Sequence, residues 1–127
     1  MSAADSSGQT LDESTDELNK LLGAAEARLR EARFGVEGWV ELSPTKAVGF
    51  AKEGASWKLM VDDNGQHHHV LTSSRATRVM AAAVMSTLEQ ALEKNRAAMA
   101  IEVNEAKRML REWLETPFTS HTEEPKP

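Results

Sequence analysis

The residues with most potential for chemistry lie in one short run, Asp62-Asp63-Asn64-Gly65-Gln66-His67-His68-His69-Val70, which holds three of the four histidines in the chain. Two imidazoles and one carboxylate are a ligand set of catalytic zinc sites, with a fourth position left open for water or substrate. Asn64-Gly65 is also a strong two-residue hairpin signal, because both central positions of a type I′ turn need positive φ. With that turn, Asp62 faces His67, Val61 faces His68, Met60 faces His69 and Leu59 faces Val70. Strand alternation then divides the histidines. His68 and Val70 fall on one face, while Asp62, His67 and His69 share the other and form the candidate metal set. The competing explanation is three solvated residues near a strand edge. We favour this second explanation and expect no cofactor, with zinc or a similar ion as the alternative. A calcium loop is excluded, since placing Gly65 at that loop's obligatory glycine puts Met60 and Leu71 at its first and last ligand positions.

A second cluster, Ser73, Ser74, Arg75 and Arg78, stands where a helix should begin. Free backbone amides and the helix dipole favour an anion there, so a phosphate or carboxylate could be held. Serines that cap the helix and arginines in solvent explain the same pattern. The chain has no phosphate loop, no G-x-S-x-G elbow and no H-E-x-x-H helix, and no carboxylate pair falls together in an expected cleft. The sequence therefore points away from an enzyme.

These clusters must be carried by a fold. Ser14-Thr15-Asp16-Glu17 has capping-box spacing, and Leu18, Leu21, Leu22, Ala25, Leu29 and Ala32 follow at steps of three and four, with Gly35 as terminator. This predicts a helix over 15–34. From Gly35 to Leu71 the period changes to two, with turn residues at Ser43-Pro44-Thr45, Glu53-Gly54 and Asn64-Gly65. The expectation is a four-stranded antiparallel meander. A Glu53-Gly54 turn would set Phe50 opposite Trp57 and Val48 opposite Leu59. A three-residue loop at Pro44-Thr45-Lys46 would add Val40 and Leu42 to the face of Val48, Phe50, Trp57, Leu59 and Val61.

A second helix should start at Ser73 or Ser74, with a stripe of Ala76, Met80, Ala83, Val84, Leu88, Ala91 and Leu92. The pattern does not stop there. No Gly or Pro occurs from Gln66 to Thr116, and Met99, Val103, Ala106, Leu110 and Trp113 continue at alternating steps of four and three, which is heptad spacing. An unbroken helix of that extent would be about 60 Å long, far beyond a radius of gyration of about 13 Å for a hundred-residue body. Either it bends or breaks near Asn95 and folds back, or it is continuous and needs a partner; we favour the latter.

The fold class expected is thus α+β: N-terminal helix, four-stranded antiparallel meander, long C-terminal helix, the break near Asn95 being the alternative. Residues 14–115 form one domain, and 1–13 and 116–127, small, polar and proline-rich, are expected as disordered tails. The 127 residues carry a net charge of −5 and no cysteine. Acidity opposes general nucleic-acid binding, a chain without cysteine has no disulfide framework, and no apolar run approaches the roughly 20 residues of a membrane span. A cytoplasmic location is expected.

Two surfaces look unfinished. Trp39, Met60 and Leu71 lie with Ala47, Gly49 and Ala51 on the outer sheet face, where apolar area calls for a cover. Met99, Val103, Ala106, Leu110 and Trp113 likewise call for a groove, with Trp113 as anchor. The expected function is a non-catalytic protein-interaction module whose partner is another protein or a second copy, as a homodimer or other homo-oligomer. In being small, acidic, cysteine-free and α+β, the chain is similar in general class to dimeric bacterial secretion chaperones, a resemblance that implies a client-binding protein. Those chaperones have an additional β-hairpin between later helices, which this sequence lacks.

Overall fold

The computed structural model describes residues 10–118; the two expected tails lie mostly outside them. The architecture is α+β: helix α1 (Leu11–Glu31), strands β1 (Gly38–Ser43), β2 (Lys46–Glu53), β3 (Ser56–Asp63) and β4 (Gln66–His69), a single 3₁₀ turn (Val70–Thr72), helix α2 (Arg75–Ala83) and helix α3 (Met85–Glu115). The sheet is antiparallel throughout in the order β1-β2-β3-β4. The chain divides into two compact units, residues 1–96 and residues 97–127. No described helix is long and apolar enough to cross a membrane.

Helix α1 begins one turn before its expected start. Thr10, not Ser14, closes the capping box: its Oγ1 accepts from the Glu13 amide (3.0 Å) and Glu13 Oε1 accepts from the Thr10 amide (2.9 Å). Thr10-x-x-Glu13 and Ser14-x-x-Glu17 are two frames of the same motif. Once the earlier box closes, the Ser14 amide bonds to the Thr10 carbonyl (3.0 Å) as an ordinary helical residue. Residues 10–13 therefore belong to the helix and its cap and not to a tail. The helix ends at Glu31 with Ala32 as its C-cap, short of the expected 34, and Arg33 (φ 53°) and Gly35 (φ 70°) follow in the left-handed region.

The sheet keeps the expected faces but changes two registers. Gly54-Ala55 is the β2–β3 turn, so Glu53 pairs with Ser56, Phe50 with Leu59 and Val48 with Val61. This is a shift of two from the expected pairing, and a shift of two preserves side-chain parity, so the same apolar set still shares a face. At the first hairpin a Pro44-Thr45 turn pairs Ser43 with Lys46, and a bulge between Glu41 and Ser43 sets Val40 opposite Val48, where the expected three-residue loop would have set it opposite Phe50. The Asn64-Gly65 hairpin has the expected register from Asp62 opposite His67 to Met60 opposite His69, but the pairing ends there: Val70 enters the 3₁₀ turn and does not face Leu59 as expected.

Val48, Phe50, Leu59 and Val61 from the sheet meet Leu29, Phe34, Val70, Ala81, Leu88 and Leu92 in one core. Helix α2 presents Thr77 and Ala81 inward, one position round from the expected Ala76 and Met80. The helix break falls at Val84 (φ −112°, ψ 14°), and Asn95 lies inside the 31 residues of α3. No Gly or Pro marks Val84; the turn there sets Val84 and Met85 against the core. Asn95 instead tethers α3, donating from Nδ2 to the Glu37 carbonyl (3.1 Å). Gly38 allows the approach, since a Cβ there would come within 2.9 Å of Leu92 Cδ2.

Candidate functional site

Most of the large apolar side chains left exposed among the described residues lie on residues 97–115 of α3. All residues from Glu93 to Phe118 are exposed. Along the heptad stripe Met99 is 45% exposed, Val103 47%, Leu110 58% and Trp113 65%, and Met109 and Leu114 widen the stripe on either side. A monomer gains nothing from arranging five apolar residues at this spacing in solvent. The opposite side of the same segment carries the exposed Ile101 and a group of paired charges. Arg108 donates to Glu105 and, at 2.6 Å, to Glu112, which supports the helix through i,i+3 and i,i+4 contacts. Sequence reasoning singled out the stripe but not its flanks, because Met109 and Leu114 fall outside strict heptad positions.

The outer sheet face is closed by the chain itself. A Cβ on Gly49 would lie 2.3 Å from Trp39 Cδ2 and 2.4 Å from Cε3, so the indole rests directly on the glycine. His67 stands beside it, ring centroids 5.0 Å apart. Met60 is 3% exposed, and Leu71 remains at the boundary of exposure. The trough that the small residues form is filled by Trp39.

The histidine cluster separates further than alternation alone required. His67 Nε2 sits 3.6 Å from Asp62 Oδ2, while the other Asp62 oxygen accepts from the Gly65 amide (2.7 Å) in the turn. His69 turns to helix α1: its Nε2 lies 2.9 Å from Glu26 Oε2, and its Nδ1 accepts from the Leu71 amide (3.3 Å). An acceptor Nδ1 means that Nε2 carries the proton and donates to Glu26. Both ring nitrogens are thus engaged, leaving neither a metal-binding lone pair nor a free base. Among the described residues no three His, Asp or Glu side chains converge as a metal would require.

Glu26 was missed at the sequence level. It occurs at Leu22-x-x-x-Glu26-x-x-Leu29, within the buried stripe of α1, and a carboxylate in such a stripe signals an internal partner. It has three, since besides His69 it accepts from the Leu59 amide (2.8 Å) and pairs through Oε1 with Arg30 Nη2 at 3.6 Å. Strand β4 covers β3 only at Met60–Asp63, so Leu59 and Trp57 are left on an open edge. Arg30, one turn on from Glu26, donates from Nε (3.2 Å) and Nη2 (2.9 Å) to the Trp57 carbonyl. The pair completes the strand edge with side chains.

Most polar atoms of the candidate anion residues are occupied within the chain, although Arg78 Nε is buried without a hydrogen-bond partner. Ser74 Oγ accepts from the Thr77 amide (3.1 Å) and Ser73 Oγ donates to the Val70 carbonyl (2.5 Å). Arg75 reaches Thr15 Oγ1 (3.3 Å) and Arg78 reaches Asn19 Oδ1 (2.6 Å), tying α2 to α1. An open groove of about 310 Å³ between α1 and the start of α3 is bordered by Ala25, Leu29 and Met85. Its polar rim is an Arg28–Glu89 fork (3.0 and 3.1 Å), two groups that already satisfy each other; hydrogen bonding to Glu89 raises the Arg28 pKa.

Comparison with protein families, with characterised proteins and with solved structures returned no match. The functional reading therefore rests on these residues.

Proposed function

We propose that this chain is a non-catalytic, cytoplasmic interaction module that self-associates as a homodimer through the exposed stripe of residues 97–115. The observation that carries this reading is the heptad series Met99, Val103, Ala106, Leu110 and Trp113, in solvent on an unbroken helix. Such spacing is the geometry that two copies of one helix share when they pack together, and a two-fold pairing makes one stripe its own complement. Trp113 supplies the large anchor. The absence of catalysis is favoured by His69: a carboxylate–imidazole pair is part of a nucleophile-activating triad, but here Leu71 occupies the nitrogen that would act as base.

Sedimentation equilibrium of the full chain beside Leu110→Asp and Trp113→Ala tests the proposal. The wild type is expected to sediment as a dimer whose population rises with concentration, and Leu110→Asp as a monomer with unchanged circular dichroism. Monomers in all three samples reject it.

A further inference from the structure

We infer that two copies pair as a parallel, in-register two-stranded coiled coil over residues 99–114, with Glu102 of each copy facing Lys107 of the other; this rests on the self-association proposed above. Placing Met99 at heptad position d puts Val103 and Leu110 at a, and Ala106 and Trp113 at d. Glu102 and Met109 then occupy g, Lys107 and Leu114 occupy e, Glu105 and Glu112 occupy c, and Arg108 occupies f.

The distribution of ion pairs within the chain follows this assignment. Glu105, Arg108 and Glu112, all on the side away from the seam, bond to one another. Glu102 and Lys107, which flank the seam, are exposed, and their side chains have no hydrogen bond or ion pair among the described residues. In a parallel pair, g of one helix faces the following e of the other. That brings Glu102 against Lys107 and Met109 against Leu114, each twice by symmetry, so charge meets opposite charge and apolar meets apolar. In an antiparallel pair, e faces e and g faces g. The antiparallel alignment that layers Val103 on Trp113 and Ala106 on Leu110 brings the two copies of Lys107 together, a like-charge contact that opposes it. The seam starts at Met99 because Leu92, the preceding d residue, is fully buried in the core of residues 1–96. Two heptads make a weak seam, so the dimer should dissociate on dilution.

The chain has no cysteine, so single substitutions can report geometry cleanly. Ala106→Cys in the otherwise intact chain is expected to form a same-site disulfide dimer under mild oxidation. Ile101→Cys, at the outward f position, should not. Glu102→Lys should weaken the dimer about fivefold, two charge pairs being lost, and Glu102→Lys with Lys107→Glu should restore it. A dimer in sedimentation that gives no Ala106→Cys disulfide, but a mixed one between Ala106→Cys and Leu110→Cys chains, overturns the parallel register and leaves self-association standing. More than two copies in the sedimenting species also overturns the two-stranded form. A monomer at every concentration removes both proposals.

Discussion

Glu26 and His69, 43 positions apart in sequence, meet at 2.9 Å between Oε2 and Nε2, and the same carboxylate oxygen takes the Leu59 amide at 2.8 Å. One side chain of α1 thus fixes the end of β4 and the open edge of β3 together. Glu26→Ala would leave the Leu59 amide and one imidazole nitrogen without partners. A loss of about 1–3 kcal/mol in urea denaturation is expected, with faster hydrogen exchange at the Leu59 amide. Unchanged exchange there would show that the carboxylate is not what protects the edge.

His69 should hold its ring proton on Nε2, because Nδ1 accepts from the Leu71 amide. Long-range nitrogen–proton correlation spectra read this tautomer directly. Zinc at micromolar concentration should leave the His69 resonances in place. A specific shift of His67 and His69 together would revive the metal site.

Gly49→Ala tests the indole cover. The added Cβ meets Trp39 at 2.3 Å and the Gly38 carbonyl at 2.7 Å, so a destabilisation of about 1–3 kcal/mol is expected. In a Trp39→Ala background the cost should fall but not vanish, since the carbonyl remains. Full additivity in a thermal double-mutant cycle would mean that the two residues do not interact.

Helix α3 provides a comparison within one element. Leu92 is fully buried and Leu110 is 58% exposed. Leu92→Ala should cost about 2–5 kcal/mol of folding stability. Leu110→Ala should leave the melting of dilute protein nearly unchanged and alter only its association.

Arg96 hydrogen-bonds Glu93 and thereby lowers the pKa of that carboxyl. A lowered carboxyl contributes above its ordinary value and loses that contribution as pH falls through the lowered one. The pair is fully in solvent, so the effect belongs in an NMR titration and not in a melting curve. Glu93 is expected to titrate below exposed glutamates elsewhere in the chain, and Arg96→Ala to return it to them.

Much of this molecule was legible in residue types and periods. The alternation of residues 38–71 specified four strands and their apolar face even though two turns were misplaced, because a shift of two keeps parity. Asn64-Gly65 set its hairpin register outright, since few residues other than Asn and Gly accept positive φ at both positions. The heptad stripe beyond Met99 was equally plain, spacing being a property of the chain alone. Tertiary structure decided the rest. Val84 breaks the helix with no glycine or proline to announce it, because the core takes Val84 and Met85 at that turn. Asn95, which looked like a stop, is a tether to Glu37. The histidines resembled a metal set while only their own hairpin was considered; His69 was claimed by Glu26 from a helix that no local pattern connects to it. Periodicity reports what one segment must bury, whereas hydrogen-bond partners across 43 positions exist only once the segments have packed.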